Sequence, residues 1–483
     1  MKILLSLFLL FCCSIVSAQQ DVYQSFEVDS AATPRGGVTT FNTFLQANLR
    51  KPIAAAAKGI GGIVVLNGIV EADGCITGVK LVESFRPDCD REAMRVLKLF
   101  NAWKPARKAR KEVRQEVIIP VNFKENTPFI YENGTRISYF DVDYVALMDT
   151  TQAYYKQYLP IDSMGIPTGD IMLYKMKKGI WKKEAQSPLF RKVLADLPRE
   201  KTYSIGYQNG IVGWEGDLFV VDNKGKLLRQ SYFRKGQQVG AELFYHSNGL
   251  VSEMTETLND KSTITTWYSN GQINQVKLVD PPQGDFSYAY PEQVIALWDS
   301  TGHQKIKDGN GYGIYQTRIQ SAKDTTQYTL FIEQGVYKNG YKQGVWTGKY
   351  ADSSYFYNEV YDKGVCKDGK ARAEGEDSVN YTEIEEPAQF SGGIQSLDRF
   401  LKRNSKYPIG AVRIGVEGRV FVGFSVCTDG TLCNYELLKS VRPDLDQEAL
   451  RVVKKTSGYW IPANLRGRKV QTKYKMPINF TLN

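Results

Sequence analysis

His246 and His303 are the only imidazoles in this chain of 483 residues, and both stand in glycine-containing turn segments. Neither a zinc ligand set nor a histidine-based triad can be assembled from them. The seven cysteines include no Cys-x-x-Cys pair. Asp444, Asp446 and Glu448 have the residue types for general acid–base work, but they follow Pro443 at an expected helix start, and the same arrangement recurs after Pro87. Carboxylates there answer the free N–H groups and the dipole of the helix, so Asp444 or Asp446 is read as an N-cap. No catalytic residue, cofactor or metal ligand is expected, and the chain is not read as an enzyme.

The recurrence extends much further. Ser84 to Lys98 reads SFRPDCDREAMRVLK and Ser440 to Lys454 reads SVRPDLDQEALRVVK, 440 − 84 = 356 positions apart. The register runs back without a gap through Asp73-Gly74 and Asp429-Gly430, Gly62 and Gly418, and Pro52 and Pro408, to Gly36-Gly37 and Gly392-Gly393. One inserted residue then shifts it, so that Trp103, Pro105, Val113, Pro120, Asn122 and Phe123 face Trp460, Pro462, Val470, Pro477, Asn479 and Phe480. One fold is used twice around a large insert, which points to binding or bridging rather than to a single active site.

Each copy has the same expected elements. Ile394, Leu397 and Leu401, with Phe400 beside them, recur at helical spacing, as do Val38, Phe41, Phe44 and Leu45. Val420, Val422, Phe424 and Val426 alternate as one strand face, Asp429-Gly430 supplies a turn needing positive φ, and Tyr435 and Leu437 continue the return. After Pro443, Leu445, Ala449, Val452 and Thr456 share a helix face with the matching Cys89, Ala93, Val96 and Phe100. Val470 to Leu482 reads as a final strand. The fold class is α+β, with two small α/β sandwich modules, at 34–124 and 387–483, flanking a β-rich hairpin-repeat region at 139–373.

In that middle region aromatic and Asn-Gly units recur, as FYHSNGLV from Phe244 and WYSNGQI from Trp267. Glycines 225, 249, 271 and 302 are spaced by 24, 22 and 31 residues, as in an array of hairpins. Gln186 to Glu200 is expected to be helical, the acidic stretch 374–386 to be a linker, and Gln19 to Thr33 a polar lead-in.

Lys2, an apolar run from Ile3 to Val16, and Val16-Ser17-Ala18 read as a secretory signal over 1–18, cleaved before Gln19. No later segment reaches membrane-spanning length, so the mature chain is expected to be exported and without an integral membrane span. Cys427 and Cys433 straddle the Asp429-Gly430 turn, and an oxidising compartment would allow them to join without requiring it. The net charge of +10 is read as a basic surface facing anionic envelope components, not as a nucleic-acid footprint.

The terminal modules resemble the C-terminal domain of the energy transducer TonB. The second is the closer, through PAQFSGGIQSLDRFLKRNSKYPIGAVRIGVEGRVFVGFSVCTDG, Trp460-Ile461-Pro462 and KMPINF. In the first, Lys51 replaces the tyrosine of Tyr407-Pro408. The middle resembles degenerate MORN-type repeats. The TonB resemblance implies a periplasmic location and capture of an outer-membrane TonB-dependent transporter peptide by strand addition. It implies partner-binding roles for Tyr407 and Pro408 and for the edge strand with Val470, Thr472 and Tyr474. The alternative reading is a cell-envelope scaffold unrelated to transport.

Overall fold

The computed structural model describes residues 21–147, 150–197, 200–209, 213–258, 261–280, 292–321, 323–324 and 326–482. The expected signal at 1–18 lies outside them. The chain divides into two compact units: Met1–Tyr290 with Val294–Lys307, and Pro291–Gln293 with Asp308–Asn483.

The first unit begins with the first module. Helices Gly37–Asn48, Ile53–Ala57 and Pro87–Leu99 cover one face of a sheet whose strands are Gly62–Val70, Ile76–Glu83 and Lys111–Phe123. Strand Gly62–Val70 is central, pairing antiparallel with both others. From residue 21 the lead-in contributes strands, Val22–Tyr23 adding to the sheet beside Lys111–Phe123 and Thr33–Pro34 pairing with Trp103–Lys104. A six-stranded sheet follows, from Ile130–Glu132 to Ile180–Ser187. Its strand Thr135–Phe140 crosses the expected boundary at 139.

Ten consecutive strands, from Leu189–Leu197 to Gln304–Lys307, then form hairpin after hairpin. The helix expected over Gln186 to Glu200 is instead strand, Ile180–Ser187 followed by Leu189–Leu197. Leu189, Phe190, Val193 and Leu194 mimic helical spacing because apolar residues stand on both faces of this strand and none of the four is buried.

The first module has no core of its own. Phe41, Phe44, Phe100 and Trp103 are buried in one cluster with Leu250, Val251, Trp267, Ile273 and Trp298 of the hairpins. The turn at Asn270-Gly271 enters this cluster. Gly271 has φ of 87°, and a Cβ there would lie 2.9 Å from the Phe44 and Phe100 rings. Asn48 seals the junction, its Oδ1 accepting the Val251 N–H at 2.7 Å.

The second unit opens with six more antiparallel strands, from Asn310–Gln320 to Val379–Tyr381. Here large rings lie on glycines of neighbouring strands, Trp346 on Gly335 and Tyr357 on Gly348. A Cβ would come within 2.3 Å and 2.0 Å of those rings, so only glycine fits. The stretch read as a linker at 374–386 is built in, contributing Val379–Tyr381 and Glu385–Glu386 to strands.

The second module repeats the first: helices Gly393–Asn404, Ile409–Arg413 and Pro443–Lys454 over strands Gly418–Val426, Leu432–Lys439 and Thr472–Phe480. Its core is self-contained, from Ala388 and Phe390 through Val420, Leu445 and Trp460 to Phe480. Gly74 and Gly430 take φ of 85° and 83° in the expected hairpin turns. Arg442, not an aspartate, stands at the N-cap position of the helix after Pro443, and it makes no side-chain cap. Asp446 reaches back from inside the helix to the Val441 N–H at 3.0 Å and the Ser440 hydroxyl at 2.5 Å, and Asp90 does the same with Phe85, Arg86 and Ser84.

Candidate functional site

The second module's sheet is ordered Leu432–Lys439, Gly418–Val426, Thr472–Phe480, so the last strand has one strand neighbour among the described residues. Its ladder with Gly418–Val426 runs without a shift from Gly418↔Phe480 to Val426↔Thr472. Two facts fix which way each backbone group points. Pro477, opposite Phe421, has no N–H to give, and proline is tolerated where the missing donor would face outward. On the central strand, the Cys427 N–H donates to the Thr431 carbonyl across the turn at 2.8 Å, which directs the odd-numbered residues toward Leu432–Lys439. Both give the same parity. Thr472, Tyr474, Met476, Ile478 and Phe480 spend their backbone groups on the central strand, while Lys473 and Lys475 turn N–H and C=O to the open side.

This arrangement separates the five residues singled out from the sequence. Tyr474 is turned inward, stacked on Phe424 at 5.5 Å and edge-on to Trp460 at 4.8 Å, and burial raises its phenol pKa. Thr472 is half-buried and likewise bonds inward. Val470 is not in the edge strand, which breaks at Gln471. It belongs to the short strand Arg468–Val470 paired with Ala463–Leu465. Tyr407 lies at the opposite end, its ring 5.6 Å from that of Phe480 and its hydroxyl donating to the Val416 carbonyl at 2.6 Å. Pro408 starts the helix Ile409–Arg413, its carbonyl accepting the Ala411 N–H at 3.0 Å. Thr472 and Phe480 are about 27 Å apart along the strand at ~3.4 Å per residue.

Sequence reasoning missed Lys473 and Lys475, although Pro477 carried the signal: a proline inside a strand marks an edge and sets its parity. Both lysines are exposed. Lys475 Nζ lies 4.5 Å from the centre of the Phe421 ring, so cationic and aromatic surface adjoin the open backbone.

The loop before the edge strand anchors the second module to the hairpins of its own unit. Arg466 Nε donates to Glu359 Oε1 at 2.7 Å, and its guanidinium lies 3.9 Å from the centre of the Tyr357 ring. Glu359 is fully buried and also accepts the Tyr361 and Tyr381 hydroxyls at 2.8 and 2.7 Å. Arg468 pairs with Glu376 at 2.5 Å.

Cys427 and Cys433 form a disulfide across the hairpin turn. At the same two places the first module has Glu71 and Thr77, joined by a hydrogen bond from the Thr77 hydroxyl. The Arg114 guanidinium, 2.7 Å away, holds the Glu71 carboxyl below its ordinary pKa by its hydrogen bond, against the opposing effect of burial, with Thr77 adding a smaller lowering. Among the described residues no group of three or more His, Cys, Asp or Glu side chains could hold a metal ion, and no helix is long and apolar enough to cross a membrane.

Residues 48–124 and 403–482 both match the family described as Gram-negative bacterial TonB protein C-terminal. The chain carries two TonB C-terminal domains. The match does not extend to the hairpin region between them. Protein TonB from Xanthomonas campestris pv. campestris, in strains B100 and ATCC 33913, is 34% identical over 79 residues, which is 16% of this chain and 34% of each relative. The chain thus spans about a third of the length of the curated relatives it matches. Among solved structures, the NMR solution structure of the Helicobacter pylori TonB-CTD is similar to 18% of this chain over 79% of its own length, at 23% identity and a TM-score of 0.16.

Proposed function

We propose that this is an exported, periplasmic TonB-like binding protein. Its second module captures an extended segment of a TonB-dependent outer-membrane transporter, or of a transporter's partner, by strand addition along Thr472–Phe480. The two TonB C-terminal domains support TonB-like interaction with such transporters. The observation that carries the proposal is the open edge: a regular strand with one neighbour, its outward N–H and C=O groups at Lys473 and Lys475 free to pair with a guest backbone. Backbone pairing supplies affinity, and the two lysines favour a guest with acidic side chains at the positions beside them. Tyr407, Pro408 and Val470 flank the two ends, where they would limit the length of the guest; Thr472 and Tyr474 hold the edge in place from beneath. The signal over 1–18 and a MORN-type origin of the hairpins belong to the same reading.

Calorimetric titration of the mature chain with peptides from transporter N-termini tests it. Lys475→Pro removes an outward donor and should weaken binding about five- to tenfold, an effect of ~1 kcal/mol, with the fold intact. Tyr474→Pro removes an inward one and should instead unfold the module. If the unmodified chain takes up no such peptide, the envelope-scaffold reading replaces this one.

A further inference from the structure

The first module has the same edge, and it is occupied. Pro120 lies opposite Val65, so by the same parity Arg114, Glu116 and Ile118 turn their backbone groups outward. Val22–Tyr23 pairs with Arg114–Gln115 in parallel. Side chains fasten the segment around that pairing. Gln24 Nε2 donates to Glu116 Oε2 at 2.6 Å, and Lys108 Nζ lies 4.1 Å from the centre of the Tyr23 ring. The Ala109 N–H donates to Asp29 Oδ2 at 2.7 Å, and Ser30 and Arg107 exchange backbone hydrogen bonds.

We infer that residues 21–31 are a built-in guest of the first module, and that removing them uncovers a second strand-accepting site on this chain. The segment has the properties of a ligand rather than of a sheet strand. Its ladder is two residues long, it buries no large side chain of its own, and Phe26 is 84% exposed. A strand that short contributes little by itself. The contacts define the partner class: an extended peptide running parallel to Lys111–Phe123, with an aromatic residue over Lys108 and, next to it, a side-chain donor for Glu116. The two sites therefore differ in charge preference. Lys473 of the second module stands where the first has Glu116, and Lys475 where it has Ile118, so an acidic residue accepted at the second site is repelled beside Glu116 at the first.

This goes beyond the function proposed above, and its test does not depend on it. The probe is a synthetic peptide of residues 21–31, titrated into the intact mature chain and into the chain lacking those residues. The truncated chain should bind one equivalent more than the intact chain, and Glu116→Lys in the truncated chain should weaken that extra equivalent about fivefold. Equal stoichiometry in the two chains overturns the inference. If truncation unfolds the module, the full-length Tyr23→Ala variant decides. With the contact to Lys108 gone, the segment should be displaced and the variant should take up more peptide than the unmodified chain; uptake no greater than by the unmodified chain overturns the inference as well.

Discussion

The two TonB C-terminal domains share a backbone plan and differ in what surrounds it. The first shares its core with hairpins, Phe44 and Phe100 packing on Gly271 and Asn48 bonding Val251, and Val22–Tyr23 pair with its edge strand. The second keeps a core of its own, holds its hairpins through a polar clamp centred on Arg466 and Glu359, and leaves its edge strand with one strand neighbour among the described residues. A domain welded in through apolar contacts is committed to structure. One held by a few directed contacts, with an unpaired edge, retains backbone groups for a partner. Duplication followed by this division gives one anchored copy and one presenting copy.

The clamp is where the comparison breaks most sharply. Arg466→Ala leaves Glu359 charged and buried with two hydroxyl donors but no cation, and should cost the second unit about 3–5 kcal/mol by denaturant titration. Arg466→Met combined with Glu359→Gln should recover most of that loss, because the amide oxygen still accepts from one tyrosine hydroxyl while its NH2 donates to the oxygen of the other. In the first module the corresponding loss is apolar. Phe44→Ala should cost a similar ~3–5 kcal/mol, with no charge change able to rescue it.

A smaller effect tests what the copies share. Gly74→Val and Gly430→Val each put a β-branched residue at positive φ, with its Cβ 2.3 Å from the carbonyl of Trp103 or Trp460. Each should lose about 1–3 kcal/mol in denaturation midpoint measurements. An unchanged midpoint in either copy would contradict the positive φ and the close approach of that carbonyl.

These turns were legible in the sequence because Asp-Gly between alternating apolar residues has few other readings, and the duplication made each copy check the other. The long-range partners were not. Arg466 and Glu359 are 107 residues apart, and nothing in local pattern links a loop arginine to a glutamate in a hairpin. Residues 19–33 read as polar lead-in because two-residue strands have no period to detect. The edge was legible as a strand, but choosing Thr472 and Tyr474 as contacts overlooked the parity that Pro477 imposes. The stretch at 186–200 misled because its apolar residues stand on both faces of the strand and none of Leu189, Phe190, Val193 and Leu194 is buried.

The hairpin turns also differ in chemistry, and this separates the modules by condition. Reduction of Cys427–Cys433 should destabilise the second unit by about 2 kcal/mol, as expected for so short a closed loop, and leave the first unchanged. In the first, acid should act through Glu71. Since the folded-state pKa of Glu71 is depressed, its contribution is fully present above the ordinary value of 4.5 and is lost as pH falls through the folded value. Glu71→Gln should therefore flatten the acid limb of the first module's unfolding curve, measured without reductant so that the Cys427–Cys433 bond of the second module stays closed throughout.

The open edge is tested most directly by native-state amide hydrogen exchange of the free mature chain, read residue by residue. Exchange should alternate along the last strand, fast at Lys473 and Lys475 and slow at Tyr474 and Met476, and the Arg114 amide of the first module should be slow, because residues 22–23 cover that edge. Slow exchange at Lys473 and Lys475 equal to that at Tyr474 would mean that the second edge is already paired, and would contradict the division between an anchored and a presenting copy.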